Sequence, residues 1–277
     1  MGASVSRVGE PQLPSFDLVV ATVGRTDELG RLFGSLDRQT HRRYRVLLVD
    51  QNGDDRLAPL VGPGVLRLRS APGLSRARNV ALPHVDADIV GFPDDDCVYP
   101  DGVLERVARR FLAEPRLDGV TGRDDSPARW AKDAAVLTRD NLWNRAISFT
   151  IFLRSGVVAR VGEFDERLGL PGSSSEEIDY LVRAVDAGAR IEYDPTLVIP
   201  HRPRQRPLVE LGARDGVSIG YILRKHRYPP QQVARMLVRP AGGAMLALVR
   251  LDRARARFHL ATLRGRAVGY SRDAAAA

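Results

Sequence analysis

Short apolar runs alternate with amphipathic segments through residues 1–200. Nearly unbroken apolar character is typical of strands buried on both faces, and it predicts strands over residues 17–23, 44–50, 65–71, 88–92, 119–121 and 190–199. Apolar positions spaced three and four apart predict helices that start near Thr26 and Ser75, and helices over residues 103–112 and 176–187. This alternation indicates an α/β domain with a mainly parallel sheet flanked by helices.

The pattern changes near residue 203. Beyond it the strand signal disappears, and basic helical segments are punctuated by Pro229, Pro230 and Pro240. We therefore expect a flexible N-terminal tail over residues 1–15, an α/β domain over 16–203 and a basic, mainly helical extension over 204–277. Apart from the strand at 119–121, the segment 117–150 gives no firm assignment.

Charge separates the same two parts. The chain carries 42 Lys and Arg against 34 Asp and Glu, and residues 201–277 account for a net +12 while residues 1–200 carry −4. A basic extension indicates a polyanionic partner. Aromatic residues are only 6% and do not alternate with the basic ones, which favours an anionic membrane surface over nucleic acid. The expected membrane contact is one helix face carrying Arg250, Arg253, Arg257 and Arg264, and packing of that helix on the body is the alternative.

Targeting features are few. Cys97 is the only cysteine, which excludes an internal disulfide and a multi-cysteine zinc site. The N-terminal residues lack the apolar stretch of a signal peptide, and nowhere do 18 apolar residues follow one another. These features predict a cytoplasmic protein, with peripheral attachment to the inner face of the membrane.

Polar residues cluster where the predicted strands end. Thr22 and Arg25 follow the first strand, and Asp50 ends the second. Ligands of open α/β sheets bind outside the carboxyl ends of the strands, so these residues are expected to share one cleft. Asp50 is suited either to accept the imide N–H of uracil or thymine or to cap a turn.

Two further segments carry charge into this cleft. Residues 73–79 deliver a helix N-terminus with Arg76 and Arg78, an arrangement suited to a diphosphate or to a capped helix with solvated arginines. Residues 94–96 are three successive aspartates, which a divalent cation such as Mg²⁺ or Mn²⁺ neutralises. Asp94 and Asp96 share a side of an extended segment, whereas a solvated acidic turn is the alternative.

The last candidates lie near residue 180 and residue 200. Glu176, Glu177 and Asp179 open a helix, where a carboxylate facing the cleft can act as a general base. Ser174 and Glu177 also have capping-box spacing, which is a purely structural alternative. His201 follows an apolar strand end and is a candidate metal ligand or diphosphate contact.

Taken in order, residues 19–25, 48–54, 73–79, 92–96, 176–183 and 193–201 resemble the bacterial family 2 glycosyltransferases of the GT-A fold. The resemblance covers residues 16–203. It implies an inverting transfer of a sugar from a nucleoside-diphosphate donor to a hydroxyl acceptor, with a divalent metal (Mn²⁺ or Mg²⁺), in cell-surface polysaccharide or glycolipid assembly. The basic extension indicates that this acceptor is lipid-linked and lies at a membrane.

The resemblance also implies roles for single residues. Glu177 falls on the catalytic base, although the family's usual Asp is one methylene shorter, so Glu176 and Asp179 stay candidates. Donor contacts are expected from Thr22, Arg25, Asp50, Arg78, Asn79, Asp94 and Asp95, and metal contacts from Asp94, Asp96 and His201. Asp50 as the base-reading residue favours uridine or thymidine donors over guanosine donors.

Three other functions compete with this one. A nucleotidyltransferase would need a glycine-rich, lysine-bearing triphosphate loop after the first strand, and residues 23–26 do not supply one. A catalytically inactive nucleotide-sugar binding module would be expected to lack the acidic pair or the carboxylate at the helix start, and both are present. A nucleic-acid-binding extension would reveal itself by salt-dependent DNA binding without nucleotide-sugar binding.

Overall fold

A computed structural model describes residues 12–126, 130–169, 174–202 and 207–271. Eight strands form a single mixed sheet in the order β3-β2-β1-β4-β7-β5-β8-β6. Their bounds are β1 Phe16–Thr22, β2 Tyr44–Asp50, β3 Val65–Arg69, β4 Ile89–Gly91, β5 Gly119–Arg123, β6 Ala135–Val136, β7 Phe152–Arg154 and β8 Ile191–Val198. The α/β architecture expected from the sequence is confirmed.

The first four strands pair in parallel, with β1 between β2 and β4. Phe16 lies opposite Tyr44 and Thr22 opposite Asp50, so β1 and β2 end at the same level. Both strands are buried on both faces because helices cover the sheet. The helices of this part are α1 Thr26–Asp37, α2 Leu74–Ala81, α3 Val103–Ala113, α4 Ser155–Val161 and α5 Glu176–Asp186.

The sheet is mixed because of β6, which lies in the unassigned segment 117–150, and β7, which directly follows that segment. β7 is antiparallel to both β4 and β5, and β6 is antiparallel to β8. These strands are three and two residues long, too short to show a hydrophobic period. The mainly parallel prediction therefore holds for β1 to β4 and for the β5–β8 pair only.

Helices α1 and α5 begin where the sequence predicts, at Thr26 and Glu176, but neither has a side-chain cap. Arg25, not Thr26, occupies the N-cap of α1, and no side chain caps that helix. The capping box at α5 is absent because Ser175 is the N-cap, while Ser174 Oγ donates to Asp215 Oδ1 at 2.8 Å. Both starts are instead fixed by tertiary contacts described below.

Three helices form the C-terminal part: α6 Leu208–Lys225, α7 Pro230–Val249 and α8 Arg253–Ser271. Helices α6 and α8 approach closely, since a Cβ atom at Gly216 would lie 2.6 Å from the Thr262 carbonyl oxygen. Tyr221, Ile222, Leu223, Tyr228 and Val233 belong to the same hydrophobic core as the sheet. The change in composition at residue 203 is therefore not a break in packing, and residues 203–206 themselves lie outside the described part, as do residues 1–11 of the predicted tail.

The basic helix face predicted over residues 250–264 is wrong at Arg250, whereas Arg253, Arg257 and Arg264 are exposed on α8. Helix α7 ends at Val249, and Leu251 has a φ of 56°, so Arg250 lies on a different element from the arginines of α8. None of the helices in the described ranges combines the length and the hydropathy needed to cross a bilayer.

Candidate active site

Two short backbone pairings build an acidic cluster at the carboxyl ends of the strands. A parallel β-bridge joins Asp94 to Ala21 of β1, and an antiparallel β-bridge joins Cys97 to His201. The ligand atoms of Asp94, Asp96 and His201 consequently lie within 4.8 Å of one another. The three residues predicted to bind metal are thus brought together, although His201 lies more than 100 positions after the two aspartates.

The chemistry of this cluster fits a divalent cation. Asp96 Oδ1 is buried and lies 2.9 Å from His201 Nε2, yet it makes no hydrogen bond of acceptable geometry to any described residue. Two carboxylates and one imidazole form a donor set suited to ions such as Mn²⁺. Burial raises the pKa of Asp94 to about 6, in spite of the opposing Arg78 and His201 charges. A bound cation would remove this electrostatic cost.

The imidazole responds to the same charges. Burial alone would lower the pKa of His201, but the close contact with the Asp96 carboxylate and the negative charges of Asp96 and Asp94 raise it. The ring stacks on Phe149 with 4.5 Å between the centroids, which fixes its plane. Because a metal ligand must be unprotonated, metal binding at this site competes with a proton on His201.

Asp95 faces the other side of the turn. Thr22 Oγ1 donates to Asp95 Oδ2 at 2.7 Å, and Arg25 Nη1 lies 2.7 Å from Asp95 Oδ1 and 2.5 Å from Asp96 Oδ2. Arg25 therefore ties the loop after β1 to the acidic turn. Thr22, Arg25 and Asp95, all predicted donor contacts, form one connected group next to the metal-ligand cluster.

Arg78 lies behind the cluster instead of in an open cleft. Its side chain is 1% exposed; Nη1 donates to Glu176 Oε1 at 2.8 Å, and Nη2 lies 3.4 Å from Asp94 Oδ1. The guanidinium also lies over the rings of Phe92 and Phe164. Arg78 thus bridges the acidic turn and the start of α5.

The open anion site predicted over residues 73–79 is not present in this conformation. Leu74 N–H donates to the Gly169 carbonyl, and Ser75 Oγ to the Leu168 carbonyl, so a loop covers the N-terminus of α2. Asn79 is also engaged, since it exchanges hydrogen bonds with the backbone of Phe164. Asn79 holds this covering loop and offers no group to a donor.

Asp50 is likewise saturated. It is fully buried; Oδ2 accepts two hydrogen bonds from Arg67 at 2.9 and 2.6 Å, and Oδ1 accepts the N–H and amide of Asn52 at 2.9 and 2.7 Å. Burial opposes ionisation, but these bonds and the Arg69 charge lower the pKa of Asp50. In this conformation Asp50 caps a turn, the second of the two roles expected from the sequence. Neither of its oxygens is free to accept the imide N–H of a base.

Three carboxylates at the start of α5, those of Glu176, Glu177 and Asp179, have different surroundings. Glu176 is buried against Arg78, whereas Glu177 is partly exposed and borders a cavity of about 10 Å³, roughly the space of one water. The cavity is also lined by Arg78, Phe92, Ser148, Ile151, Phe164 and Tyr180. Burial, followed by the negative charge of Glu176, raises the pKa of Glu177. Of the three carboxylates, Glu177 is the one that lines this cavity.

Asp179 is excluded from that role by its partners. It is fully buried; Oδ1 lies 2.6 Å from Lys225 Nζ and 2.8 Å from His226 Nε2, while Oδ2 accepts from Arg183 at 3.1 Å. Burial would raise its pKa, but these partners lower it. Lys225 also lies 2.8 Å from Asp165 Oδ2. Asp179 therefore attaches α5 to α6, and we correct its assignment as a candidate base.

Comparison with known proteins shows the family of the chain. Residues 17–160, more than half of the chain, match the family model for glycosyl transferase family 2. The chain belongs to glycosyl transferase family 2. The enzyme is 28% identical over 276 residues to the pre-mycofactocin glycosyltransferase of Mycobacterium tuberculosis, a match covering 90% of this chain and 56% of that protein. It thus spans about half the length of that relative.

Other similarities are narrower or purely structural. An uncharacterized glycosyltransferase of Bacillus subtilis, YwdF, is 28% identical over 99 residues, which cover 34% of this chain and 37% of that one. The mannosyltransferase PcManGT from Pyrobaculum calidifontis, solved with GDP-Man and Mn²⁺, has a TM-score of 0.68 at 18% identity, covering 94% of this glycosyltransferase and 87% of its own chain. TarS of Staphylococcus aureus has a TM-score of 0.60 at 18% identity, covering 90% and 55%. These likenesses establish the GT-A fold.

Sequence reasoning missed two contributors to the site of this glycosyltransferase. Ser148 Oγ lies 3.1 Å from both oxygens of Asp94, and Phe149 supports His201. Both lie in the segment 117–150, where no periodic pattern could place them. Nothing in the spacing of the sequence signals that this segment returns to the acidic turn.

Arg78 gives a testable prediction on stability. Replacing it with methionine leaves Glu176 buried without its cation, so we expect the free energy of unfolding to fall by about 3–5 kcal/mol, measured by urea denaturation. Arg76→Met is the matched control, since Arg76 pairs with Glu166 at the surface, where such pairs contribute up to about 1 kcal/mol. Equal stability of the two variants would contradict the bridging role.

Proposed function

We propose that this glycosyltransferase moves a sugar from a nucleoside-diphosphate donor to an acceptor hydroxyl with inversion at the anomeric carbon. One observation carries the proposal: Arg78 and Ser148 contact Asp94 and also line the cavity beside Glu177. The metal-ligand cluster and the candidate base therefore share one site. Inverting transfer needs both, because one stabilises the leaving group while the other receives the acceptor proton.

Each group of residues in the site has a role that follows from its position. Asp94, Asp96 and His201 would hold a divalent cation, which when bound neutralises negative charge on the leaving diphosphate. Thr22, Arg25 and Asp95 form the neighbouring group, which we assign to the nucleoside part of the donor. Arg78 stays behind the carboxylates and keeps Asp94 and Glu176 in place.

Glu177 is proposed as the general base. A raised pKa strengthens a carboxylate as a proton acceptor at neutral pH, provided that it is ionised when the acceptor binds. Deprotonation lets the hydroxyl oxygen attack the anomeric carbon on the face opposite the diphosphate. A single displacement of this kind inverts the configuration.

The nucleotide base and the acceptor are less constrained. The preference for uridine or thymidine donors depended on Asp50, whose oxygens are occupied by Arg67 and Asn52. We therefore propose only the class of nucleoside-diphosphate sugar. For the acceptor we propose a lipid-linked hydroxyl in cell-envelope assembly, which the basic C-terminal extension supports. Pre-mycofactocin, which appears in the name of the M. tuberculosis relative, is the alternative acceptor to be assayed beside it.

A thermal-shift plate tests the donor proposal. UDP, dTDP and GDP are each added with Mn²⁺, with Mg²⁺ and with EDTA, and we expect a rise in Tm that requires both one nucleotide and the metal. No shift with any nucleotide would contradict the proposal. An assay of radiolabelled sugar transfer then distinguishes an active enzyme from a binding module. Release of pyrophosphate from a sugar phosphate and a nucleoside triphosphate would instead indicate a nucleotidyltransferase.

A further inference from the structure

The end of helix α7 exposes large apolar side chains. We define the α7–α8 tip as residues 245–257, which cover the last turn and a half of α7, the connection and the first turn of α8. Its exposed apolar side chains, with their exposed fractions, are Met245 (69%), Leu246 (50%), Leu248 (55%), Val249 (76%) and Leu251 (87%). This is an unusual concentration for the surface of a water-soluble domain.

Packing within the protein does not account for these residues. The α7 positions buried in this region are the small residues Pro240, Ala244 and Ala247, while the large aliphatic side chains point outward. A helix that only packs on its own domain normally buries its large apolar residues and exposes polar ones. The outward face of the tip is therefore suited to contact an apolar partner outside this chain.

The connection between α7 and α8 holds one of these side chains at a conformational cost. Leu251 adopts a φ of 56°, a left-handed conformation in which glycine is favoured at a helix C-terminus. The turn is tight, since Asp252 N–H donates to the Ala247 carbonyl and Leu251 N–H to the Leu248 carbonyl. Arg255 N–H donates to Asp252 Oδ1, which caps α8. A rigid turn thus presents a strained leucine at 87% exposure.

Charge indicates what the tip meets. Arg250, Arg253, Arg255 and Arg257 are exposed around the apolar side chains, and Asp252 is the one acidic residue in residues 230–271. Aliphatic groups surrounded by arginines match a bilayer, whose acyl region accepts the former and whose anionic headgroups attract the latter. A nucleic acid would engage the arginines but offers no partner for five aliphatic side chains.

We propose that the α7–α8 tip docks the enzyme on an anionic lipid bilayer, with Leu251 and its aliphatic neighbours inserted below the headgroups. This goes beyond the proposed transfer reaction and names a surface different from the continuous basic helix that the sequence suggests. The attachment is monotopic, because the tip reaches only the interfacial layer. A lipid-linked acceptor would then be concentrated in the same layer as the enzyme.

Vesicle flotation tests the proposal, using the full chain with phosphatidylcholine vesicles and with phosphatidylcholine mixed with phosphatidylglycerol. We expect flotation with the mixed vesicles only, decreasing with salt. Leu251→Gly removes the inserted side chain and relieves the left-handed strain, so we expect an unchanged or higher Tm with about 10-fold weaker binding. Replacing Arg250, Arg253, Arg255 and Arg257 with glutamine is expected to weaken binding at least ~10²-fold.

A matched control removes exposed arginines from the body of the protein: Arg38→Gln, Arg42→Gln and Arg109→Gln together. This variant should float like the wild type. The proposal is overturned if the wild type binds neither vesicle, if the control loses as much binding as the tip variants, or if Leu251→Gly instead dissociates a dimer in analytical ultracentrifugation without changing flotation. Donor hydrolysis measured without vesicles should stay at the wild-type rate in every tip variant, so loss of docking is distinguishable from failure of the transferase proposal.

Discussion

Glu177→Gln is expected to lower turnover at least ~10²-fold while leaving the nucleotide-induced thermal shift in place. Glutamine keeps the size of the side chain beside the cavity but cannot take a proton from the acceptor. The donor contacts at Thr22, Arg25 and Asp95 are untouched by the change. Initial rates of sugar transfer at saturating donor measure the effect.

The pH profile gives this experiment a second readout. Burial and the charge of Glu176 raise the pKa of Glu177, so its active, ionised form is lost as pH falls through a value above the ordinary 4.5 of glutamate. With Mn²⁺ held at saturation at every pH, so that protons on His201 and Asp94 do not limit metal binding, the wild type should therefore show an acid limb in turnover that disappears in Glu177→Gln. Asp179→Asn is the control: its carboxylate is enclosed by Lys225, His226 and Arg183, so it should lose stability and keep the acid limb. Retained turnover in Glu177→Gln would place the base elsewhere.

The second large effect is expected from Asp96→Asn. The substitution keeps the shape of the side chain and removes the charge that faces His201 and Arg25. Metal binding should weaken, and turnover should fall at least ~10²-fold because charge on the leaving diphosphate is no longer compensated. Titration with Mn²⁺, followed by the nucleotide-dependent rise in Tm, measures the loss directly.

Asp95→Asn distinguishes the metal from the nucleoside side of the turn. Asp95 contacts Thr22 and Arg25 but is not among the candidate metal ligands. This variant should bind nucleotide more weakly and keep the wild-type dependence on Mn²⁺ concentration. If Asp96→Asn retained full metal dependence, the assignment of Asp94, Asp96 and His201 as the metal site would be wrong.

Sequence alone placed the parallel strands well, because strands buried on both faces have an unmistakable apolar pattern. It also selected Asp94, Asp96 and His201, since each follows a strand that ends at the same edge of the sheet. Short antiparallel strands such as β6 and β7 were missed because two or three residues contain no period.

The errors at single residues have a common physical cause. Position at a strand end or a helix start shows that a carboxylate is near the site, but not which distant cation reaches it. Arg67 on β3 occupies Asp50, and Lys225 on α6 occupies Asp179. The first pairing depends on the register of β2 and β3, and the second depends on packing between α5 and α6. Arg78 was expected to face a diphosphate for the same reason, since its partner Glu176 is 98 positions away.

Lys225 is one of only two lysines in the chain, and it bridges Asp165 and Asp179 across the junction between the catalytic fold and the C-terminal helices. Recombination between family members is therefore constrained at this junction. A chimera that exchanged the helices after residue 203 for a segment without Lys225 and His226 would leave Asp179 with Arg183 and Asp165 with Arg167, and would remove the cationic partners that α6 and the residue after it supply. The membrane-docking tip and the catalytic helix α5 are thus expected to be inherited as one unit.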